Sequence, residues 1–260
     1  MVDRCPGPGV ARSCQNGLPG LGHEAEHAGS ARPQARPMCE DCNVRHLAVC
    51  AALSEAQMPR LAAIAGNRRV ETGQMLFQEG DRAEEVFTLI DGMLKLYKLM
   101  SDGRRQIVGF MVPGDFLGLA FGRTYVYSAE AVSPTQVCRF RRAPFLRLLE
   151  DCPALEKEIL DRTSTELAAA QEQMLLLGRK TARERLASFL MALARRRGVK
   201  PGRALPLPMS RSDIADYLGL TIETISRTMT AFRHERLIEL PGKHAVEILR
   251  PAELEQLAGS

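Results

Sequence analysis

Between Arg68 and Arg142 the apolar positions fall in short runs, Met75-Leu-Phe-Gln78, Val86-Phe-Thr-Leu-Ile90, Met93 to Met100 and Gln106 to Val112, with partial alternation along each. Runs of this length that mix β-branched and aromatic residues predict strands. The breaks between them are Glu79-Gly80-Asp81, Asp91-Gly92, Asp102-Gly103 and Pro113-Gly114-Asp115. Each sets Gly beside Asp, a pair that tolerates positive φ and bonds its own backbone. Turns every ten to twelve residues suit a compact antiparallel roll or jelly roll rather than βαβ units. Ahead of the strands, the segment from Val49 to Gly66 predicts one short amphipathic helix with Leu53, Leu61 and Ile64 on its apolar side.

From Pro144 to Leu177 the period lengthens. Leu160, Thr163, Leu167, Ala170, Met174 and Leu177 recur at alternating steps of three and four, the seam of a two-stranded coiled coil, and predict pairing with a second copy. A further helical stretch follows at Thr181 to Arg197, and a Gly/Pro break spans Gly198 to Pro208. Beyond it, Ser210 with Asp213 three residues on forms a capping-box variant, Gly219 ends that helix, and Thr221 caps the next. Two helices around a Gly-containing turn of about three residues make a helix-turn-helix. In the second helix Ile222, Ile225, Met229 and Phe232 fall on one face and are expected in the core. Glu223, Ser226 and Arg227 share the other face near the helix start, where side chains reach base edges. Arg227 can fork onto guanine O6 and N7, Glu223 can accept from cytosine N4, and Ser226 can bond a base or a phosphate. Leu237 to Leu240 and Val246 to Ile248 read as a hairpin wing, with Lys243 at its tip as a phosphate contact.

Charge distribution strengthens that picture. Residues 179–250 carry fifteen Lys and Arg against seven Asp and Glu, a net of +8, whereas residues 1–178 carry twenty against twenty-two. A phosphate backbone requires such a concentration of cations. At 260 residues, 45% of them apolar and 25% charged, the chain has room for two globular domains. No apolar stretch approaches the roughly 20 residues of a membrane span, and the start of the chain lacks the apolar run of a signal peptide, so a cytoplasmic location is expected. Residues 1–37, rich in Gly, Pro, Ala and Arg without a sustained period, read as a disordered tail.

Seven cysteines without an export signal argue for thiol or metal chemistry rather than a disulfide framework. Cys39, Cys42 and Cys50 form a C-x2-C-x7-C cluster between the tail and the first strands. Three thiols this close can hold iron or zinc, and Cys138, distant in sequence, can close a four-thiolate site. Thiol exchange, a Cys3His zinc site using His46, and a buried structural role for Cys138 are the competing readings. Cys5 and Cys14 in the tail read as non-ligands, and Cys152 is the substitute should Cys138 not serve.

The order of roll, long helix and winged helix-turn-helix, with Gly114-Asp-Phe-Leu-Gly-Leu-Ala120, Leu175 to Leu190 and Ser210 to Arg227, resembles the CRP/FNR family of bacterial transcription regulators over roughly residues 38–250. The Glu223-Thr-Ile-Ser-Arg227 run matches the FNR branch, whose recognition residues carry over to Glu223, Ser226 and Arg227. The resemblance implies a homodimer bound to an inverted repeat of TTGAT-like half-sites and in contact with RNA polymerase. It further implies an oxygen-labile [4Fe-4S] cluster on Cys39, Cys42, Cys50 and Cys138, the x7 spacing being the FnrN-like version. Relatives that bind cyclic AMP carry a Glu and an Arg-Ser pair where this chain has Leu119 and Tyr127-Ser128, so no cyclic nucleotide is expected. Some relatives place a repelling Asp on the dimer helix where this chain has Ala170.

The expected architecture is therefore α+β: a tail (1–37), a cysteine cluster and antiparallel β-roll of the cyclic-nucleotide-binding type (38–142), a dimerisation helix (143–178) and a winged helix-turn-helix (179–260). Its expected role is an oxygen-responsive regulator. A regulator acting through zinc or thiol oxidation is the alternative. An enzyme with a DNA-binding appendage is disfavoured, because no phosphate loop, nucleophile elbow or zinc-hydrolase motif occurs.

Overall fold

The computed structural model of the chain describes Cys39 together with residues 42–118, 122–200 and 202–259. The tail expected over 1–37, with Cys5 and Cys14, lies outside the described residues, as does Leu119. Eight strands build the roll: β1 Ala65–Val70, β2 Met75–Phe77, β3 Glu85–Asp91, β4 Leu94–Leu99, β5 Arg105–Met111, β6 Phe116–Leu117, β7 Ser128–Ala131 and β8 Thr135–Arg141. They form two four-stranded antiparallel sheets in the orders β1-β8-β3-β6 and β2-β7-β4-β5. Gly80, Gly92, Gly103 and Gly114 all have positive φ, so the four Gly/Asp turns fall where the chain pattern put them.

The inner faces of the sheets enclose Phe77, Phe87, Leu89, Leu94 and Val137. Strand alternation sends the intervening residues outward. Val86, Cys138 and Phe140 accordingly join a second buried cluster with Val49, Leu53, Met58, Leu61, Phe145 and Leu155. Cys138 is held at the centre of the sheet by register, opposite Asn67 on one side and Thr88 on the other.

Two helical expectations need correction. The segment after Val49 is not one helix: a single 3-10 turn at Val49–Ala52 and a short α1 at Met58–Ala62 are separated by a turn, and Ala65 already enters β1. Ser54, bonded through its N–H and hydroxyl to the Gln57 side chain, and Pro59 at the start of α1 explain the break. Leu53 and Leu61 are buried as expected, while Ile64 is half-buried. The long helix is likewise two, α2 Arg142–Asp151 and α3 Pro153–Arg179. Pro153 disfavours helical backbone in the residue before it, and Cys152 adopts φ −130° and ψ 83° there.

The C-terminal part comprises α4 Ala182–Arg196, β9 Ala204–Pro206, α5 Arg211–Leu218, α6 Ile222–His234, β10 Ile238–Gly242, β11 Ala245–Ile248 and α7 Pro251–Ala258. A Thr181–Glu184 capping box starts α4. The hairpin β10–β11 gains β9 as a third strand, which the chain pattern did not reveal. One buried cluster runs from roll residues Met93, Ile107 and Phe110 through Phe189 and Leu190 to Ile225 and Phe232. Roll and C-terminal part thus share a core.

Candidate nucleic-acid interface and thiol centre

The α5–α6 pair is built by local signals. Ser210 accepts from the Asp213 N–H while the Asp213 carboxylate accepts from Ser210, and α5 ends at Gly219 with φ 61°, a left-handed turn only glycine adopts freely. Thr221 accepts from the Thr224 N–H to start α6. Ile225, Met229 and Phe232 are buried, with Thr228 beside them. Ile222 is 46% exposed and is a correction: helical spacing assigned it to the apolar face, but it occupies the first position of α6, beyond the neighbours that cover that face.

Glu223, Ser226 and Arg227 are exposed on the opposite face, and Lys243 lies exposed in the turn between β10 and β11. Ser226, Arg227, Thr230, Ala231 and His234 line an open depression of about 420 Å³. Thr230 and His234 escaped the sequence reading, although their spacing of four and eight from Ser226 puts them on its face. The Glu223 backbone N–H and Thr221, and then Arg227, hold the Glu223 carboxyl below the ordinary carboxylate range. The face therefore presents an ionised acceptor and a guanidinium donor one turn apart.

The thiols converge. Cys39, Cys42 and Cys50 are partly buried and Cys138 is buried. Burial, then Cys42, raise the Cys39 thiol. Burial, then Cys42 and Cys39, push Cys50 up to about 11. Burial and the charges of Cys39, Cys50 and Cys42 push Cys138 up to about 12. Cys39 and Cys50, on the arm that precedes β1, pack against the buried cluster that contains Cys138, more than eighty residues away in the chain, and such a set needs cationic charge to ionise together. Thr88 lies opposite Cys138 in the sheet register, and its buried hydroxyl has no hydrogen-bond partner among the described residues. A donor left free beside a sulfur is what a thiolate-bound centre would use. Among the described residues no three His, Cys, Asp or Glu side chains are gathered tightly enough to hold a single metal ion. The donor set, four sulfurs, is of the chemistry that holds an iron–sulfur cluster or a tetrathiolate zinc. Cys152 is fully buried and accepts from Arg60 at 3.9 Å.

On α3, Leu160, Leu167 and Met174 are exposed by 64%, 61% and 66%, so their apolar face is uncovered within one chain. Ala170 and Thr163 are exposed between them, and Leu177 is half-buried. In the roll, the Ser128 hydroxyl accepts from the Glu79 N–H, while Tyr127 stands where cyclic-AMP-binding relatives place Arg. No helix among the described residues is long and apolar enough to cross a membrane.

Residues 67–152 match the cyclic nucleotide-binding domain family, and residues 184–257 match the Crp-like helix-turn-helix domain family. The chain is 45% identical over 227 residues to the transcriptional activatory protein AadR of Rhodopseudomonas palustris, covering 85% of this chain and 94% of that protein. It is 40% identical over 227 residues to the transcriptional activator protein FnrL of Cereibacter sphaeroides, covering 85% and 92%. The solved structure of FixK2 from Bradyrhizobium japonicum superposes with a TM-score of 0.72 at 35% identity, covering 76% of this chain and 98% of that one. Roll, connecting helix and winged helix-turn-helix thus define a DNA-binding transcription regulator. The chain belongs to the CRP/FNR family, with its similar relatives in the FixK-related branch.

Proposed function

We propose that this chain is a homodimeric, oxygen-responsive transcription activator that holds a [4Fe-4S] cluster on Cys39, Cys42, Cys50 and Cys138, binds an inverted repeat of TTGAT-like half-sites and contacts RNA polymerase. What supports the reading is that Cys39 and Cys50, with Cys42 in the same short segment, pack against the buried cluster that contains Cys138 of β8. When bound, a cluster supplies an inorganic centre whose thiolate ligation is lost on oxidation. This chain's own part is to present four sulfurs, three of them on one short arm, and to shield them against the outer face of the roll. With the four sulfurs held together, the arm is fixed beside α3 and the arrangement that exposes the Leu160–Met174 seam for pairing is favoured. Release of the arm returns the equilibrium toward the monomer and halves the DNA contacts.

On DNA, Arg227 reads guanine, Glu223 accepts from cytosine, Ser226 bonds a base or phosphate, and Lys243 anchors the wing on the backbone. Activation, rather than repression, is inferred from relatives named as activators. The same relatives are named as regulators, which favours a non-enzymatic role. The roll is proposed to take no cyclic nucleotide, because Tyr127 offers no cation to a phosphate. Purification without oxygen tests the reading: the expected product is brown, carries iron and sulfide, absorbs near 400 nm and bleaches in air as the dimer dissociates. A colourless preparation containing zinc overturns it.

A further inference from the structure

The arm that carries the thiols packs Val49 and Leu53 into the cluster on the outer face of the roll, and an arginine fork ties it to α3. Arg162, on α3, donates through Nη2 to the Leu47 carbonyl at 2.6 Å and through Nη1 to the Gly114 carbonyl at 3.1 Å, while its Nε reaches Glu158 at 2.7 Å. Leu47 lies between Cys42 and Cys50. It also rests on the Pro113-Gly114-Asp115 turn so closely that a Cβ on Gly114 would meet the Leu47 Cβ at 2.7 Å, and Gly114 has φ +97°. The same turn is gripped from the C-terminal part. Arg196 of α4 reaches Asp115 at 2.5 Å and the Phe110 carbonyl at 2.9 Å, and Asp115 also accepts from the Val112 N–H at 2.7 Å. Arm, α3 and α4 therefore meet at two consecutive residues, Gly114 and Asp115.

On α3, the Arg162 position is turned well away from the exposed seam of Leu160, Leu167 and Met174, since successive residues advance by about 100°. One side of the helix holds the arm, and another is open for a second copy. We infer that Arg162 is the positioning residue that couples the thiol-bearing arm to the dimer helix, its guanidinium fork holding α3 in register with the arm only while the arm is docked on Gly114. This rests on the proposed cluster for the signal, but the contact itself is made by the polypeptide. Freeing the arm removes the Leu47 carbonyl, leaving the Arg162 fork with Gly114 and Glu158 alone. The helix then loses the only hydrogen bond between its side chains and the arm among the described residues.

The full-length protein, prepared without oxygen, tests this as wild type, Arg162→Met and Arg162→Lys. The quantity measured is the ratio of dimer dissociation constants before and after exposure to air, by sedimentation velocity. A ratio of roughly tenfold or more is expected for the wild type and about twofold or less for Arg162→Met, at unchanged iron and sulfide per chain. Arg162→Lys, which keeps the charge and loses the fork, is expected between them and guards against misfolding of the Met variant. Equal ratios in wild type and Arg162→Met, as a purely structural role would give, overturn the proposal. A second readout does not depend on dimerisation: in protein as isolated without oxygen, where the arm is docked, the amides of Ala48, Ala51 and Leu53, hydrogen-bonded within the arm, should exchange roughly tenfold faster in Arg162→Met. Unchanged exchange also overturns it. Wild-type protein without iron would sink the cluster reading alone, with the exchange comparison still deciding the role of Arg162.

Discussion

Lys95→Met removes the cation that ties the roll to the helix-turn-helix. Lys95, on β4, reaches Glu130 of β7 and Asp213 of α5, each at 2.9 Å. The cluster is enclosed, with side-chain exposures of 8% for Lys95, 9% for Asp213 and 19% for Glu130. Removing one member of a buried pair strands the remaining charge and costs about 3–5 kcal/mol. Asp213 keeps Arg105 at 2.9 Å and the Ser210 N–H and hydroxyl, so the loss falls mainly on Glu130 and the lower end, about 3 kcal/mol, is expected. Adding Glu130→Gln neutralises the stranded carboxylate and should restore about half of that loss. Urea unfolding of metal-free protein, followed by circular dichroism, measures both.

The pH dependence has a definite sign. Burial raises the Asp213 pKa, but hydrogen bonds from Ser210 and Lys95 outweigh it and hold the carboxyl below its ordinary value. A depressed carboxylate stabilises the fold above its unfolded pKa, near 3.9, and that contribution is lost as pH falls through the folded value. The difference between wild type and Lys95→Met should therefore stay level from about pH 6 to 8 and shrink progressively as acid neutralises the carboxylates. A loss under about 1 kcal/mol, or a difference that already shrinks near neutrality, would refute the buried ion cluster.

Arg227→Ala should weaken operator binding by about 1–3 kcal/mol and relax discrimination at one guanine per half-site, whereas Lys243→Ala should weaken all sequences alike and lower the salt slope by about 1. Gel shifts across a mismatch series distinguish the two, and uniform loss for Arg227→Ala would make it a phosphate contact. Leu167→Glu places a charge at a 61%-exposed apolar position of α3 and should leave oxygen-free protein monomeric in sedimentation; an undiminished dimer contradicts the seam. Thr88→Val removes a buried hydroxyl that has no partner among the described residues and should raise the stability of metal-free protein by about 1 kcal/mol. A drop in the urea midpoint would mean that the hydroxyl is satisfied in solution.

The features legible in the chain pattern are those encoded within a few residues. Ser210 and Asp213 close a capping box at a separation of three, Gly219 ends α5, and Gly beside Asp makes each roll turn. Periodicity assigned Ile225, Met229 and Phe232 correctly but not Ile222, because a period names a face without saying where along the helix its neighbours end. It also ran α2 into α3, since the apolar spacing continues across Cys152 while the Pro153 ring interrupts the backbone. The contacts between layers left no trace. Asp213 reads as a helix cap, and its second role requires Lys95, 118 residues earlier, to arrive from another sheet. Arg162 reads as a polar position of a coiled coil, and nothing in its neighbourhood announces Leu47, 115 residues away.

Other long-range contacts share a destination, and it bears on how the proposed thiol signal would reach the DNA-binding helices. The C-terminal end of α5 offers three consecutive carbonyls that its own helix leaves open. Asp216 accepts from Gln106 of the roll at 2.7 Å, Tyr217 from Gln173 of α3 at 3.0 Å, and Leu218 from Arg185 of α4 at 2.8 Å. Helix ends must satisfy such carbonyls somewhere, so each partner is held in place by the demand of the other side. The helix that seats α6 is thus anchored at one end to the roll, the proposed dimer helix and α4 together. In a dimer, two recognition helices must lie about one DNA turn, roughly 34 Å, apart to enter successive major grooves. A displacement of α3 relative to the roll cannot leave all three of these hydrogen bonds intact. Either one of these bonds breaks, or α5 follows α3 and the spacing on which half-site recognition depends changes with it.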